Sequence, residues 1–451
     1  MNPLARRIGE RLRADRDLVE RLDLTRRAGR VTRSVGLAIE SRGPKVAVGE
    51  ECRLEGASGE LLSLVEVVGF EGSRVYSMPV DPVRGLRHAD RIVATGRHPR
   101  VGVGDALLGR VLDGDGRPLD GGGELGVTRS APIHDTPVPA LDRPRITEPM
   151  ATGVRSIDGF LTLGRGQRIG IFAGAGVGKS RLLGSIARHA EDEVVVISLV
   201  GERNREVREF VEAELGAEGR RRAVVFVATS DESPLRRVRC ALAATTVAED
   251  FRRRGRNVTL LMDSLTRVAM ALREIGLATG EPPSSKGYTP SVFAFLPRLL
   301  ERAGRDPSGG ALTGIYTVFV EGDDLADPVA DASRAILDGH IVLSRTLAER
   351  AHYPAVDVLA STSRVMSEVV NDEHKRLALH IRRLMAVYRD HEDLVAIGAY
   401  RSGVDPMLDE AVRRRQAIID LLQQDLHRPS SLEETLGSMR AIVEAEAESA
   451  P

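Results

Sequence analysis

The chain has 451 residues, 42% of them hydrophobic, and a net charge of −1. That length suggests about two to four domains, the apolar content excludes a wholly disordered chain, and the neutral balance gives no overall pull toward nucleic acid. Of the 64 basic residues only Lys45, Lys179, Lys286 and Lys375 are lysines, so any single arginine says little by itself. Two cysteines, Cys52 and Cys240, lie in apolar-patterned segments and make no disulfide framework; small core residues in a reducing compartment are expected. No apolar run approaches the ~20 residues that span a bilayer, and the charged N-terminus lacks a signal-peptide core. A cytoplasmic protein follows, with membrane contact only peripheral or through partners.

In residues 2–23, Leu4, Ile8, Leu12, Leu18 and Leu22 fall near one helical face, opposite Arg, Asp and Glu. This predicts an N-terminal amphipathic helix over 1–25, either packed on its own domain or docking a partner or membrane surface. Over 26–96 the pattern turns to short apolar stretches (GRVTRSVGLAIES, PKVAVGEECRLE, LLSLVEVVGFEGSRVYSMPV) broken by Gly, Pro and Ser-Gly, which reads as a small all-β barrel. Such barrels can stack bases on aromatics; here only Phe70 and Tyr76 are available, so a structural or assembly role is expected.

Residues 97–150 are rich in Gly and Pro and read as a connector into a domain that spans 97–364. From about 151 to 363, apolar strands alternate with helical segments: QRIGIFAG then KSRLLGSIARHA, EVVVISLVG then REVREFVEAEL, AVVFVAT then SPLRRVRCALAATTVAEDFRRR, and then VTLLMD. This is the βαβ pattern of a parallel α/β sheet. From 365 to 451 the chain reads as a helical C-terminal domain, fraying at its end.

The stretch A-GAGV-GKS, Ala173–Ser180, fits a phosphate-binding loop with alanine at its first position. Ala173, Gly174, Ala175, Gly176, Val177 and Gly178 are small enough for backbone N–H groups to approach phosphate oxygens, and the next helix adds its positive N-terminal dipole. Lys179 would reach the β- and γ-phosphates of ATP and Ser180 would ligate Mg²⁺. The bland alternative is a chance glycine turn, but strand, loop and helix follow in the required order. A second Mg²⁺ group is expected from an adjacent strand, and Asp263 closes the apolar run NVTLLMD; alone, such an Asp is usually a turn former. Glu202, in LVGERNREV, is expected to end the strand next to the loop strand, where a carboxylate could position water against the γ-phosphate. Read alone, it is equally an exposed Glu in a charged turn.

FAGAGVGKS, GERNREV, LLMDSLTR and PAVDVLASTSRVM together resemble the catalytic subunits of rotary F/V-type ATPases. More narrowly, REIGLATGEPPSSKGYTPSVFAFLPRLLERAG, FVEGDDLADPVADASRAILDGHIVLSR and RAHYPAVDVLASTSRVM resemble the flagellar and type III secretion export ATPases, densely over residues 95 to 410. The resemblance implies a RecA-like core in a homohexameric ring, with ATP sites at subunit interfaces. It makes Glu202 the general base with Arg203 its neighbour, Arg267 an arginine facing the phosphates, and Tyr353 the aromatic that stacks on adenine. Arg364 becomes an arginine finger acting on the neighbouring subunit's nucleotide. As partners it implies a stator-like regulator at the N-terminal helix, a central stalk, an export gate and substrate–chaperone complexes, with no nucleic acid.

The leading expectation is therefore an ATPase that energises protein export. A rotary proton- or sodium-driven ATP synthase is disfavoured by GEPPSSKGYTPSVFAFLPRLLERAG. An RNA translocase of the Rho type is disfavoured by the aromatic-poor barrel and neutral charge. The fourth alternative is a ring subunit that binds nucleotide without turnover.

Overall fold

The computed structural model describes residues 27–190, 192, 194–320 and 326–444. The N-terminal helix expected over 1–25 and the chain's last residues lie outside them. The described chain divides at Pro99 and Arg100 into two compact units.

In the first unit, six strands close into a barrel: β1 (Ala28–Val35), β2 (Ala38–Arg42), β3 (Glu51–Glu55), β4 (Leu61–Glu71), β5 (Arg74–Pro79) and β6 (Arg91–Arg97). Their order is β1-β2-β5-β4-β3-β6, every pairing antiparallel. Closure leaves no strand edge to pair with another chain. Alternation sends Val31, Ile39, Leu54, Val65, Val67 and Ile92 inward to fill the barrel. Cys52 packs among them, and burial pushes its thiol up to about 12. Phe70 is 61% exposed.

The second unit is built on a nine-stranded sheet. Its parallel strands are β7 (Val111–Asp113), β8 (Arg168–Ala173), β9 (Val194–Glu202), β10 (Ala223–Thr229), β11 (Asn257–Asp263), β12 (Ala311–Phe319) and β13 (Gly339–Leu343). They are joined by antiparallel β14 (Val356–Ser363) at one edge and a short piece, Gly304–Arg305, paired to β12. The order across the sheet is β14-β13-β8-β12-β11-β9-β10-β7. Buried on both faces, these strands read as nearly continuous apolar runs.

Alternate residues divide between two cores. Val194, Val196 and Val200 face the helices α2 (Pro234–Arg253), α3 (Leu265–Ala278) and α4 (Pro290–Leu300). Val195, Ile197 and Leu199 face α1 (Lys179–His189) and the C-terminal helices α5 (Asp372–Ala396), α6 (Pro406–Leu422) and α7 (Leu432–Glu444). The C-terminal helices therefore share a core with the sheet. Cys240 lies in the other core, fully buried, its thiol also pushed up to about 12.

Two features differ from the sequence reading. The Gly/Pro-rich stretch 97–150 supplies a strand: β7 pairs β10 in parallel at the sheet edge. And neither acidic strand adjoins the loop strand. The neighbours of β8 are β12 and β13; β11, which ends in Asp263, is two positions away, and β9, which ends in Glu202, three. Strand order is set by long-range pairing, which no local pattern encodes.

Candidate nucleotide-binding site

All seven parallel strands end on one edge, and the predicted loop stands there, between β8 and α1. Gly178 caps α1 in the left-handed conformation, φ +88°, with no side-chain cap bond. The N–H groups of the first turn are thus left to an external acceptor, and the dipole favours an anion. Ala173 is buried at the strand end, whereas Ala175, Gly176 and Ser180 are exposed. A side chain at Gly178 would meet the Tyr353 ring at 3.6 Å, so the tyrosine predicted to stack on a base lies against the loop; Tyr353 itself is 42% exposed.

Lys179 joins the acids that β8 does not adjoin. Its Nζ donates to Asp263 Oδ1 and lies 3.6 Å from Glu202 Oε1. With strands ~4.8 Å apart, Asp263 and Glu202 stand on strands ~10 and ~14 Å from the loop strand; the lysine projects from α1 over the sheet edge and closes that gap. Burial disfavours the ammonium, but the two carboxylates more than offset it, and its pKa lies above the ordinary lysine value. Glu202 moves the opposite way. Burial, with Asp263 nearby and a hydrogen bond shared with Glu206, pushes its carboxyl up to about 7 against the pull of Lys179.

Arg267 enters through Gly201. That glycine, at φ +72°, sits where β9 departs from its pairing with β10, and a Cβ there would come within 2.9 Å of Arg267 Cδ. The guanidinium stem therefore lies against the turn that presents Glu202. Ser264 caps the helix that carries it, accepting from Arg267 N at 3.4 Å.

Two predicted residues stand apart. The Arg203 side chain is 76% exposed and pairs with Glu206 at 3.2 Å. Arg364 follows β14, which runs antiparallel to β13 with Ser363 opposite Gly339. Its N–H donates to Asp338 O at 2.9 Å, beside the start of β8. Arg364 is therefore at the amino edge of the sheet, about 15–20 Å of strand from the loop.

The nucleotide-binding domain of the ATP synthase alpha/beta family matches residues 153–363, and the type III secretion EscN ATPase C-terminal domain matches 370–441. A Bacillus subtilis (strain 168) protein called flagellum-specific ATP synthase is 49% identical over 94% of this chain and 97% of its own. A type 3 secretion system ATPase of Xanthomonas euvesicatoria is also 49% identical, over 94% of this chain and 96% of its own. This chain belongs to the flagellar and type III secretion export ATPases. Among solved members, the assembled ATPase EscN of enteropathogenic E. coli superposes with a TM-score of 0.88 at 44% identity, over 92% of this chain and 100% of that one. As an export ATPase the chain is an enzyme of ATP hydrolysis; rotary synthases share only the wider superfamily.

Sequence reasoning missed the far wall beside Tyr353. The cleft there is also lined by Arg155, Gln424, Asp425 and Arg428. Gln424 ties it together: its N–H donates to Tyr353 O at 2.9 Å, its Nε2 to Gly153 O at 2.8 Å, and its Oε1 accepts from Arg155 N at 2.8 Å. These partners are 71 to 271 residues away in the chain, so no local signal could have found them.

Proposed function

We propose that this export ATPase hydrolyses ATP with Mg²⁺ as a homohexameric ring, energising protein export through a flagellar or type III apparatus, each site completed by Arg364 of the next subunit. The observation that carries the reading is the division of the predicted set. Lys179, Asp263, Glu202 and Arg267 converge at the carboxyl edge of the sheet, while Arg364 lies at the opposite edge. A finger that cannot reach its own loop fits one that serves a neighbour.

The donor set suits Mg²⁺: the Asp263 carboxylate and Ser180 hydroxyl are hard oxygens, and the contact of the Lys179 ammonium with Asp263 supports a carboxylate that takes positive charge. When bound, Mg²⁺ would neutralise charge on the phosphates. The backbone of Gly174, Ala175, Gly176, Val177 and Gly178 would bind the phosphate oxygens, and Lys179 would leave the acids for them. Freed from that contact, Glu202 would accept a proton from the attacking water. Tyr353 would hold the base against the loop, and Arg267 and the neighbour's Arg364 would meet charge that develops on the transferred group.

The ring is supported by the assembled EscN relative, and a central stalk partner by the EscN relative solved with its stalk EscO. No helix among the described residues is long and apolar enough to cross a membrane, in keeping with peripheral attachment at the export apparatus from the cytoplasm. A stator-like regulator at residues 1–25, an export gate and substrate–chaperone complexes complete the proposed partners.

The test is ATPase activity against protein concentration. Wild-type specific activity should rise with assembly, and Arg364→Ala should stay about 10³-fold lower at every concentration while still binding nucleotide. A monomer with full, concentration-independent activity would sink the interface reading.

A further inference from the structure

One buried hydroxyl at the carboxyl edge is not used by the reading above. Thr317 lies on β12, the strand that separates the loop strand from the Asp263 strand, in register with Ile171 on β8. It is fully buried between apolar Tyr316 and Val318, which face the opposite core. Its Oγ1 is 2.7 Å from Asp263 Oδ1 and 3.4 Å from Met262 O. An ionised carboxylate can only accept, so the hydroxyl donates its one proton to Asp263. Lys179 binds the same oxygen. The Asp263 side chain is 4% exposed, so few other donors can reach it.

We propose that Thr317 is a positioning residue for Asp263: its hydroxyl fixes the carboxylate so that it can hold Mg²⁺ once Lys179 has moved to the nucleotide. The inference rests on the nucleotide site proposed above. Without Thr317, Lys179 is the one hydrogen-bond partner left on Oδ1 among the described residues, and the departure of the lysine leaves the carboxylate less firmly held in a buried site. Groups that orient a metal ligand in this way change metal affinity, or the activity that depends on it, by about 10–100-fold when removed.

The measurement is the Mg²⁺ concentration that half-saturates tight binding of a fluorescent ATP analogue to the full-length protein, with thermal midpoints recorded alongside. Thr317→Val keeps the shape and deletes the donor; it should raise that concentration about tenfold. Thr317→Ser keeps the donor and should stay within about twofold of wild type. Should the valine protein not fold, Thr317→Ala makes the same deletion without a misplaced methyl. A valine or alanine variant with unchanged Mg²⁺ dependence overturns the inference, whatever its thermal midpoint. So does a serine variant shifted as far as valine, which would assign the effect to packing. Wild type that binds no nucleotide at all would instead overturn the site on which the inference depends.

Discussion

Glu202→Gln separates catalysis from stability, with a sign set by the site itself. The Glu202 side chain is 14% exposed, and burial holds its carboxyl at about 7 instead of 4.5, with Lys179 and Arg267 opposing and Asp263 and Glu206 reinforcing. A carboxyl with its native pKa above its unfolded value grips its proton more tightly when folded. Its stabilising contribution is thus complete below the unfolded pKa and is lost as pH rises through about 7. The full displacement corresponds to roughly 3 kcal/mol; residual contact with solvent and with Lys179 reduces this to ~1–2 kcal/mol. Glutamine cannot ionise and escapes that cost. Near pH 4, below the unfolded value, the two proteins should therefore melt together, while near pH 8.5 the glutamine protein should melt about 2–5 °C higher. Differential scanning fluorimetry without nucleotide reads the gap, and a hydrolysis assay at pH 8 should show a loss of about 10²–10⁴ with nucleotide binding retained. A gap of equal size at both pH values, or a glutamine protein less stable at the higher one, would refute the claim that an ionised Glu202 is buried at a cost.

Two further substitutions probe other parts of the molecule. Tyr353→Ala should weaken binding of a fluorescent ATP analogue by about 5- to 150-fold through lost stacking, with Tyr353→Phe near wild type; equal losses in both would point to the hydroxyl instead. Leu54→Ala empties a fully buried position of the barrel and should cost about 2–5 kcal/mol, seen as lost hydrogen-exchange protection over 28–97 while the nine-stranded sheet keeps its own.

What the sequence determined by itself was local. The loop over 173–180 could be read because its glycines, lysine and serine are contiguous and flanked by a strand and a helix. Asp263 and Glu202 could be placed at strand ends because buried parallel strands are apolar runs that stop abruptly. The barrel strands showed as short apolar stretches broken by Gly, Pro and Ser-Gly, and the helices of the second unit as segments that alternate with apolar strands; the caps, such as Ser233 accepting from Arg236 N at the head of α2, came only with the structure. What only the tertiary structure decided depends on pairing between distant segments. The order of strands put β12 and β11 between Glu202 and the loop, so that Lys179, not strand adjacency, brings the acids to the site. The same pairing hid β7 in a Gly/Pro-rich stretch, set Gln424 behind Tyr353, and aimed the Thr317 hydroxyl at Asp263 from a strand that reads only as core. It also put Arg364 at the far edge of the sheet, because β14 runs antiparallel to the strand beside it. A motif fixes which groups are near in the chain; hydrogen-bonded register across the sheet fixes which are near in space.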